Sequence, residues 1–73
     1  MYTIYTKDNC PFCDKAKNLL NQKGIQFNTI KLGTDITREQ LLEKIPSART
    51  MPQIMMGETL IGGYKELESS LAS

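Results

Sequence analysis

Apolar positions along this chain change their spacing several times, and each change marks an element. MYTIYT alternates apolar and hydroxyl-bearing side chains, the period of a strand over residues 1–6. KDNC breaks that pattern. Pro11 then stands where a first helical residue would, its fixed φ suited to that place. From there to Gly24 the period lengthens to that of a helix. Phe12, Ala16, Leu19, Leu20 and the stem of Lys23 form its apolar stripe, and Gly24 supplies a left-handed stop. IQFNTIKL, 25–32, reads as a second strand.

TDITREQLLEKIP predicts a second helix, with Thr37 and Gln40 in capping-box spacing and Leu41, Leu42 and Ile45 as its buried stripe. Pro46 ends it, because the residue before a proline is pushed out of helical conformation. PQIMMGETLIGG predicts two short strands about a Gly57-Glu58 loop, Gly first as a type II′ turn requires. YKELESSLA then makes a short last helix, with Leu67 and Leu71 one turn apart. The order βαβαββα implies a parallel first strand pair with a right-handed crossover, followed by an antiparallel hairpin. The expected architecture is α/β: one four-stranded mixed sheet flanked by helices, in a single domain over residues 1–73.

Composition narrows the function. Hydrophobic residues make up 40% and charged residues 23%, a balance that can bury a core and argues against disorder. Nine Lys and Arg against eight Asp and Glu leave a net charge of +1 with no block of one sign, so neither nucleic acid nor an anionic membrane is an expected partner. Apolar runs are far too short to span a bilayer. The N-terminus has no basic start followed by an apolar stretch, so a cytoplasmic protein is expected.

Both cysteines lie in DNCPFCDKAK, two residues apart. As a staple, Cys10–Cys13 would close too small a loop to constrain the unfolded chain much. A structural zinc site needs about four ligands, and the chain has no His and no further Cys, so no metal is expected. Two unrelated buried thiols and a redox pair remain. The strand before, the proline between and the helix after favour the pair. A helix N-terminus directs free N–H groups and the positive end of its dipole at Cys10, stabilising thiolate over thiol, and Lys7 adds a positive charge three residues earlier. Cys13, one turn in and on the inward side, is then the resolving thiol. Pro11 holds the turn.

Two further motifs bear on a substrate. In ARTMPQI, a cis bond before Pro52 would turn the Thr50 and Met51 backbone outward toward an extended peptide, whereas an ordinary trans proline would merely start a strand. In IGGYKEL, glycines before a helix would let a carboxylate approach its free N–H groups, whereas the plain alternative is a turn.

Together the three motifs resemble those of glutaredoxins. CPFC resembles that family's Cys-Pro-Tyr-Cys, ARTMPQI its Arg-Thr-Val-Pro-Gln-Ile, and IGGYKEL its Gly-Gly-x-Asp-Asp-Leu, in the same order over essentially the whole chain. The resemblance implies a thioredoxin-like fold and glutathione-dependent thiol–disulfide exchange, with glutathione as co-substrate and no tightly bound cofactor. It implies Cys10 as nucleophile and Cys13 as the thiol that resolves protein disulfides. Lys7 and Arg49 would meet the glycine carboxylate of glutathione, and Phe12 would pack beside it in place of the family's Tyr. Thr50, Met51 and cis-Pro52 would hold its cysteinyl backbone, and Gly63, Tyr64 and Lys65 its γ-glutamyl end. Lys65-Glu66 departs from the family's acidic pair, leaving Glu66 for the γ-glutamyl ammonium. A monomer is implied, with disulfide-bearing clients such as a ribonucleotide reductase. Two alternatives follow from relatives of that family: a redoxin reduced by thioredoxin reductase, or a dimer bridging a [2Fe–2S] cluster through Cys10 and glutathione.

Overall fold

A computed structural model of the chain describes residues 1–72. The elements run in the expected order: β1 (Tyr2–Thr6), α1 (Pro11–Gln22), β2 (Phe27–Lys31), α2 (Arg38–Lys44), β3 (Gln53–Met56), β4 (Thr59–Gly62) and α3 (Tyr64–Ala72). They build one mixed sheet in the order β2-β1-β3-β4. β1 pairs in parallel with β2, Tyr2 opposite Phe27, and antiparallel with β3, Ile4 opposite Ile54. β3 and β4 form the hairpin about Gly57-Glu58, with an irregularity between Ile54 and Met55.

Local chemistry explains each boundary. Cys10 is the N-cap of α1 and Pro11 its first residue. At the other end Gly24 takes φ 69, and the N–H groups of Gly24 and Ile25 donate to the carbonyls of Asn21 and Leu20. That crossed pair is a Schellman motif, available because glycine adopts a left-handed φ without a Cβ clash. The capping box of α2 is closed in both directions: Thr37 N–H donates to Gln40 Oε1 at 2.9 Å, and Gln40 N–H donates to Thr37 Oγ1 at 3.1 Å. Ile36 before the cap and Leu41 in the first turn share one apolar cluster, which staples the start of the helix. Ile45, next to Pro46, leaves helical conformation.

Both faces of the sheet are covered. α1 and α3 lie on one face around Ile4, Ala16, Leu20, Ile54 and Leu67. α2 lies on the other, around Tyr5, Ile36, Leu41 and Ile45. Each fully buried aliphatic side chain contributes on the order of 1.5–3 kcal/mol of hydrophobic transfer. One expectation is corrected here. The inward stripe of α1 is Cys13, Ala16 and Leu20, with Leu19 partly buried, whereas Phe12 is 49% exposed and Lys23 is an exposed C-cap. Residues 13, 16 and 20 keep the helical period toward the sheet. Phe12, about 100° away on the helix, faces α3 instead.

Candidate active site

The site begins where β1 runs out. Thr6 is buried and Lys7, Asp8 and Asn9 are exposed, and Asn9 adopts a left-handed φ of 54, a conformation asparagine tolerates better than most residues. That bend brings Cys10 to the helix start with its sulfur over the first turn. Cys13 N–H lies 3.2 Å from Cys10 Sγ and 3.1 Å from Cys10 O. The two sulfurs are joined as a disulfide, with Cα atoms 5.2 Å apart. They are unequal in exposure: Cys13 is 1% exposed, whereas Cys10 is half-buried at the surface. An incoming sulfur can reach Cys10 alone. In this oxidised form the Cys13 N–H points at the Cys10 sulfur, and an N–H so placed would stabilise a thiolate there once the disulfide is reduced.

Beside Cys10 lies the loop that leads into β3. The Met51–Pro52 bond is cis, and the Met51 carbonyl oxygen sits 3.7 Å from Cys10 Sγ. Gln53, 8% exposed, donates from Nε2 to the Thr50 carbonyl at 2.8 Å. Gln53 stands within the ARTMPQI motif, where the sequence gives it no task of its own; folded, it ties down the loop that carries Thr50 and Met51.

Two depressions open from this loop and share Thr50 and Met51. One, of about 150 Å³, is lined by Lys7, Arg38 and Arg49 above a floor from α2. The other, of about 340 Å³, is lined by Phe12, Pro52, Gly63, Tyr64, Lys65 and Glu66. Every residue expected to contact a substrate therefore borders one of them. Arg38 joins this group without any motif to announce it. It lies eleven positions before Arg49 on the first turn of α2, and only the packing of that helix against the loop unites their charges.

The second depression ends at α3. Glu66 Oε1 accepts the Gly63 N–H at 3.0 Å, so this side chain caps its own helix. Gly62, at φ 123, permits the approach: a Cβ there would sit 2.9 Å from Glu66 Cγ. The Phe12 and Tyr64 rings meet across the α1–α3 boundary at 6.0 Å between centroids, and Lys15 Nζ stands 5.0 Å from the Phe12 centroid. Tyr64 donates its O–H to Glu68 at 3.3 Å. Its phenol is held above the ordinary value by desolvation first, then by the charge and hydrogen bond of Glu68.

On the opposite flank of Cys10 the charges neutralise one another. Lys31 Nζ meets Asp8 at 2.7 Å, and Lys17 Nζ meets Asp14 at 3.7 Å. Asp8 raises the Lys31 pKa, through its hydrogen bond first and its charge second. Among the described residues, no three acidic or thiol side chains converge as a metal site would require, and no helix is long and apolar enough to cross a membrane.

Comparison with known proteins agrees with this geometry. The glutaredoxin family model matches residues 2–61. The chain is 43% identical over 67 residues to a glutaredoxin of Pseudomonas aeruginosa, covering 90% of this chain and 79% of that one. It is 36% identical over 64 residues to glutaredoxin 3 of Escherichia coli K12, covering 88% and 77%. It is also 43% identical over 70 residues to the hybrid peroxiredoxin hyPrx5 of Haemophilus influenzae, where 96% of this chain spans only 29% of the longer protein. Among solved structures, a glutaredoxin of Brucella melitensis superposes with a TM-score of 0.78 at 36% identity, over 97% of this chain and 77% of that one. A buckwheat glutaredoxin–glutathione complex superposes with a TM-score of 0.82 at 25% identity, over 97% and 67%. A half-exposed thiol at a helix N-terminus, a buried partner one turn on, and sequence likeness across most of the chain lead to one assignment: this protein belongs to the glutaredoxin family of thiol–disulfide oxidoreductases.

Proposed function

We propose that this chain is a dithiol glutaredoxin with glutathione as co-substrate, acting on glutathione mixed disulfides and on protein disulfides. The observation that carries this reading is the pair of depressions meeting at Thr50 and Met51 beside Cys10, one rich in cations and the other ending at a helix N-terminus. A short peptide with a carboxylate at each end and a sulfur between them fits such a site.

The chemistry follows from the unequal thiols. With a mixed disulfide, the Cys10 thiolate attacks the glutathione sulfur. A Cys10–glutathione disulfide forms, and the client leaves as a thiolate. A second glutathione then attacks its sulfur, releasing glutathione disulfide and restoring Cys10. With a protein disulfide, Cys10 bonds one client sulfur and frees the other. Cys13 then attacks Cys10, giving the intramolecular disulfide and a fully reduced client. Two glutathiones reduce that disulfide in turn. The Cys13 N–H at 3.2 Å serves thiolate formation at Cys10 in both routes.

Lys7, Arg38 and Arg49 would receive the glycine carboxylate, the Thr50–Met51 backbone the cysteinyl segment, and the N–H groups of Tyr64 and Lys65 the γ-glutamyl carboxylate. Glu66 already holds the Gly63 N–H, so the ligand must share or displace it. The reducing power of a cytosolic glutathione pool suits a glutaredoxin couple of about −200 to −230 mV. A cytoplasmic monomer that re-reduces a client such as ribonucleotide reductase is consistent with this. The likeness to a hybrid peroxiredoxin favours a second class of client, a thiol oxidised by peroxide.

The test is turnover of the mixed disulfide of glutathione and 2-mercaptoethanol under two reducing systems. Glutathione with glutathione reductase should sustain it. Failure there, with success under thioredoxin reductase, would replace this reading by the thioredoxin-reductase one. Cys10→Ser should abolish all turnover, while Cys13→Ser should keep the mixed-disulfide reaction and lose protein-disulfide reduction. Equal losses in both variants would contradict the assigned roles.

A further inference from the structure

We propose that a rim of unpaired positive charge around the glutathione-side depressions, with Lys15 as its outermost member, docks client proteins whose reactive cysteine is flanked by acidic residues. This rests on the function proposed above and names the chemistry of the client.

Charge is unevenly distributed about the disulfide. On the flank formed by Asp8, Asp14, Lys17 and Lys31, each cation has an acidic partner within 4.0 Å. On the other flank Arg38, Arg49, Lys65 and Lys15, with Lys7 bordering both flanks, make no ion pair among the described residues, and all five are exposed. Of the acids on that side, Glu66 is engaged by the Gly63 N–H and Glu68 by the Tyr64 O–H. A glutathione moiety brings two carboxylates and one ammonium. The four cations around the depressions, Lys7, Arg38, Arg49 and Lys65, outnumber those two carboxylates, so positive charge remains there and Lys15 adds to it from outside. Lys15 lies outside both depressions, on the exposed face of Phe12, where the ring attracts its ammonium.

The reaction directs the client to this place. When Cys10 attacks the glutathione sulfur, the glutathione part remains in the depressions and the client cysteine departs as a thiolate outside them. Acidic neighbours raise the cost of forming that thiolate. A cation beside the mouth lowers it and also steers the encounter. Atoms and electrons are those of the exchange already described: one disulfide breaks and one forms, and the client takes up a proton after release.

Two glutathionylated heptapeptides provide the test, identical but for Asp or Lys at two positions on either side of the central Cys. At an ionic strength of about 0.01 M, where charges act over roughly 30 Å, kcat/KM for the Asp peptide should exceed that for the Lys peptide by about threefold or more. The ratio should approach one near 1 M salt, where the screening length is about 3 Å. Lys15→Glu should cut the low-salt ratio by about threefold, and Lys15→Ala by about half as much on a logarithmic scale. Equal kcat/KM for the two peptides at low salt, a preference for the Lys peptide, or a ratio that Lys15→Glu leaves unchanged would each overturn the proposal. Turnover of the mixed disulfide of glutathione and 2-mercaptoethanol, whose leaving half is uncharged, by the unaltered protein separates the two levels. If that reaction also fails, the glutathione reading has failed and takes this one with it.

Discussion

Thr37→Ala tests how far a local cap on α2 supports the substrate site. The helix has only seven residues, too few to be stable alone, so its ends matter more than its length. Thr37 Oγ1 accepts one N–H of the first turn, and Gln40 Oε1 accepts the N–H of Thr37. Both bonds are exposed, which puts each near 0.5 kcal/mol, at the low end for a protein hydrogen bond. Losing the threonine oxygen also releases the glutamine that reaches back, so the variant should lose about 1 kcal/mol, in the range measured for N-caps. For 73 residues the unfolding entropy is on the order of 0.15 kcal/mol per kelvin, so Tm should fall by about 6 °C. Thr37→Ser should recover most of this. In a double-mutant cycle with Gln40→Ala the two losses should be strongly non-additive, because each residue serves the other. Arg38 is the first residue of this helix, so loosening its start should raise KM for a glutathionyl substrate two- to threefold while alkylation of Cys10 proceeds as before. Thermal unfolding, the cycle and steady-state kinetics read these outcomes. An unchanged Tm, or additive losses in the cycle, would refute the reciprocal cap as a stabilising device. A lower Tm with unchanged KM would refute its link to the site.

Three more outcomes follow from particular contacts. Leu67, fully buried on the inner side of α3, should cost about 2–5 kcal/mol as Leu67→Ala, much of the stability of so small a domain, and far less as Leu67→Met; urea unfolding measures both. Gly62→Ala combines a left-handed φ with a Cβ 2.9 Å from Glu66 Cγ, so it should destabilise by more than about 1 kcal/mol and free the Gly63 N–H, seen as faster amide exchange at Gly63. The Lys31 ammonium should titrate above an ordinary lysine by NMR and return toward the ordinary value in Asp8→Asn. Because the folded pKa is the raised one, any stability from this pair is present below the ordinary lysine pKa and is lost as pH rises through the folded value. A Lys31 titration that ignores Asp8 would remove the pair from consideration.

Much of this protein is legible in its sequence, for a physical reason: the signals are short-range. Alternation in MYTIYT, Pro11 at a helix start, the Thr37–Gln40 box, Gly24 as a left-handed stop and Pro46 as a terminator each act within about four residues, so local sequence determines the element order. The inequality of Cys10 and Cys13 is legible too, because one turn of helix separates a capping position from an inward one.

Tertiary structure decided what depends on residues far apart in the chain. Phe12 sits among the apolar residues of α1 in sequence, yet the helix gives its inward place to Cys13 and turns Phe12 toward Tyr64, 52 positions later. Gln53 reads as an ordinary strand residue until its amide reaches the Thr50 carbonyl. Arg38 joins Lys7 and Arg49 only when α2 packs beneath the loop before β3. Lys65-Glu66 reads as a departure from an acidic pair, and folding gives Glu66 a different task, capping the helix at whose end a ligand would bind. Sequence alone determined the elements and the two thiols, since hydrogen bonds between near neighbours dictate them. Which charges surround those thiols, and which remain unpaired, was settled by packing, which brings together side chains with no relation along the chain.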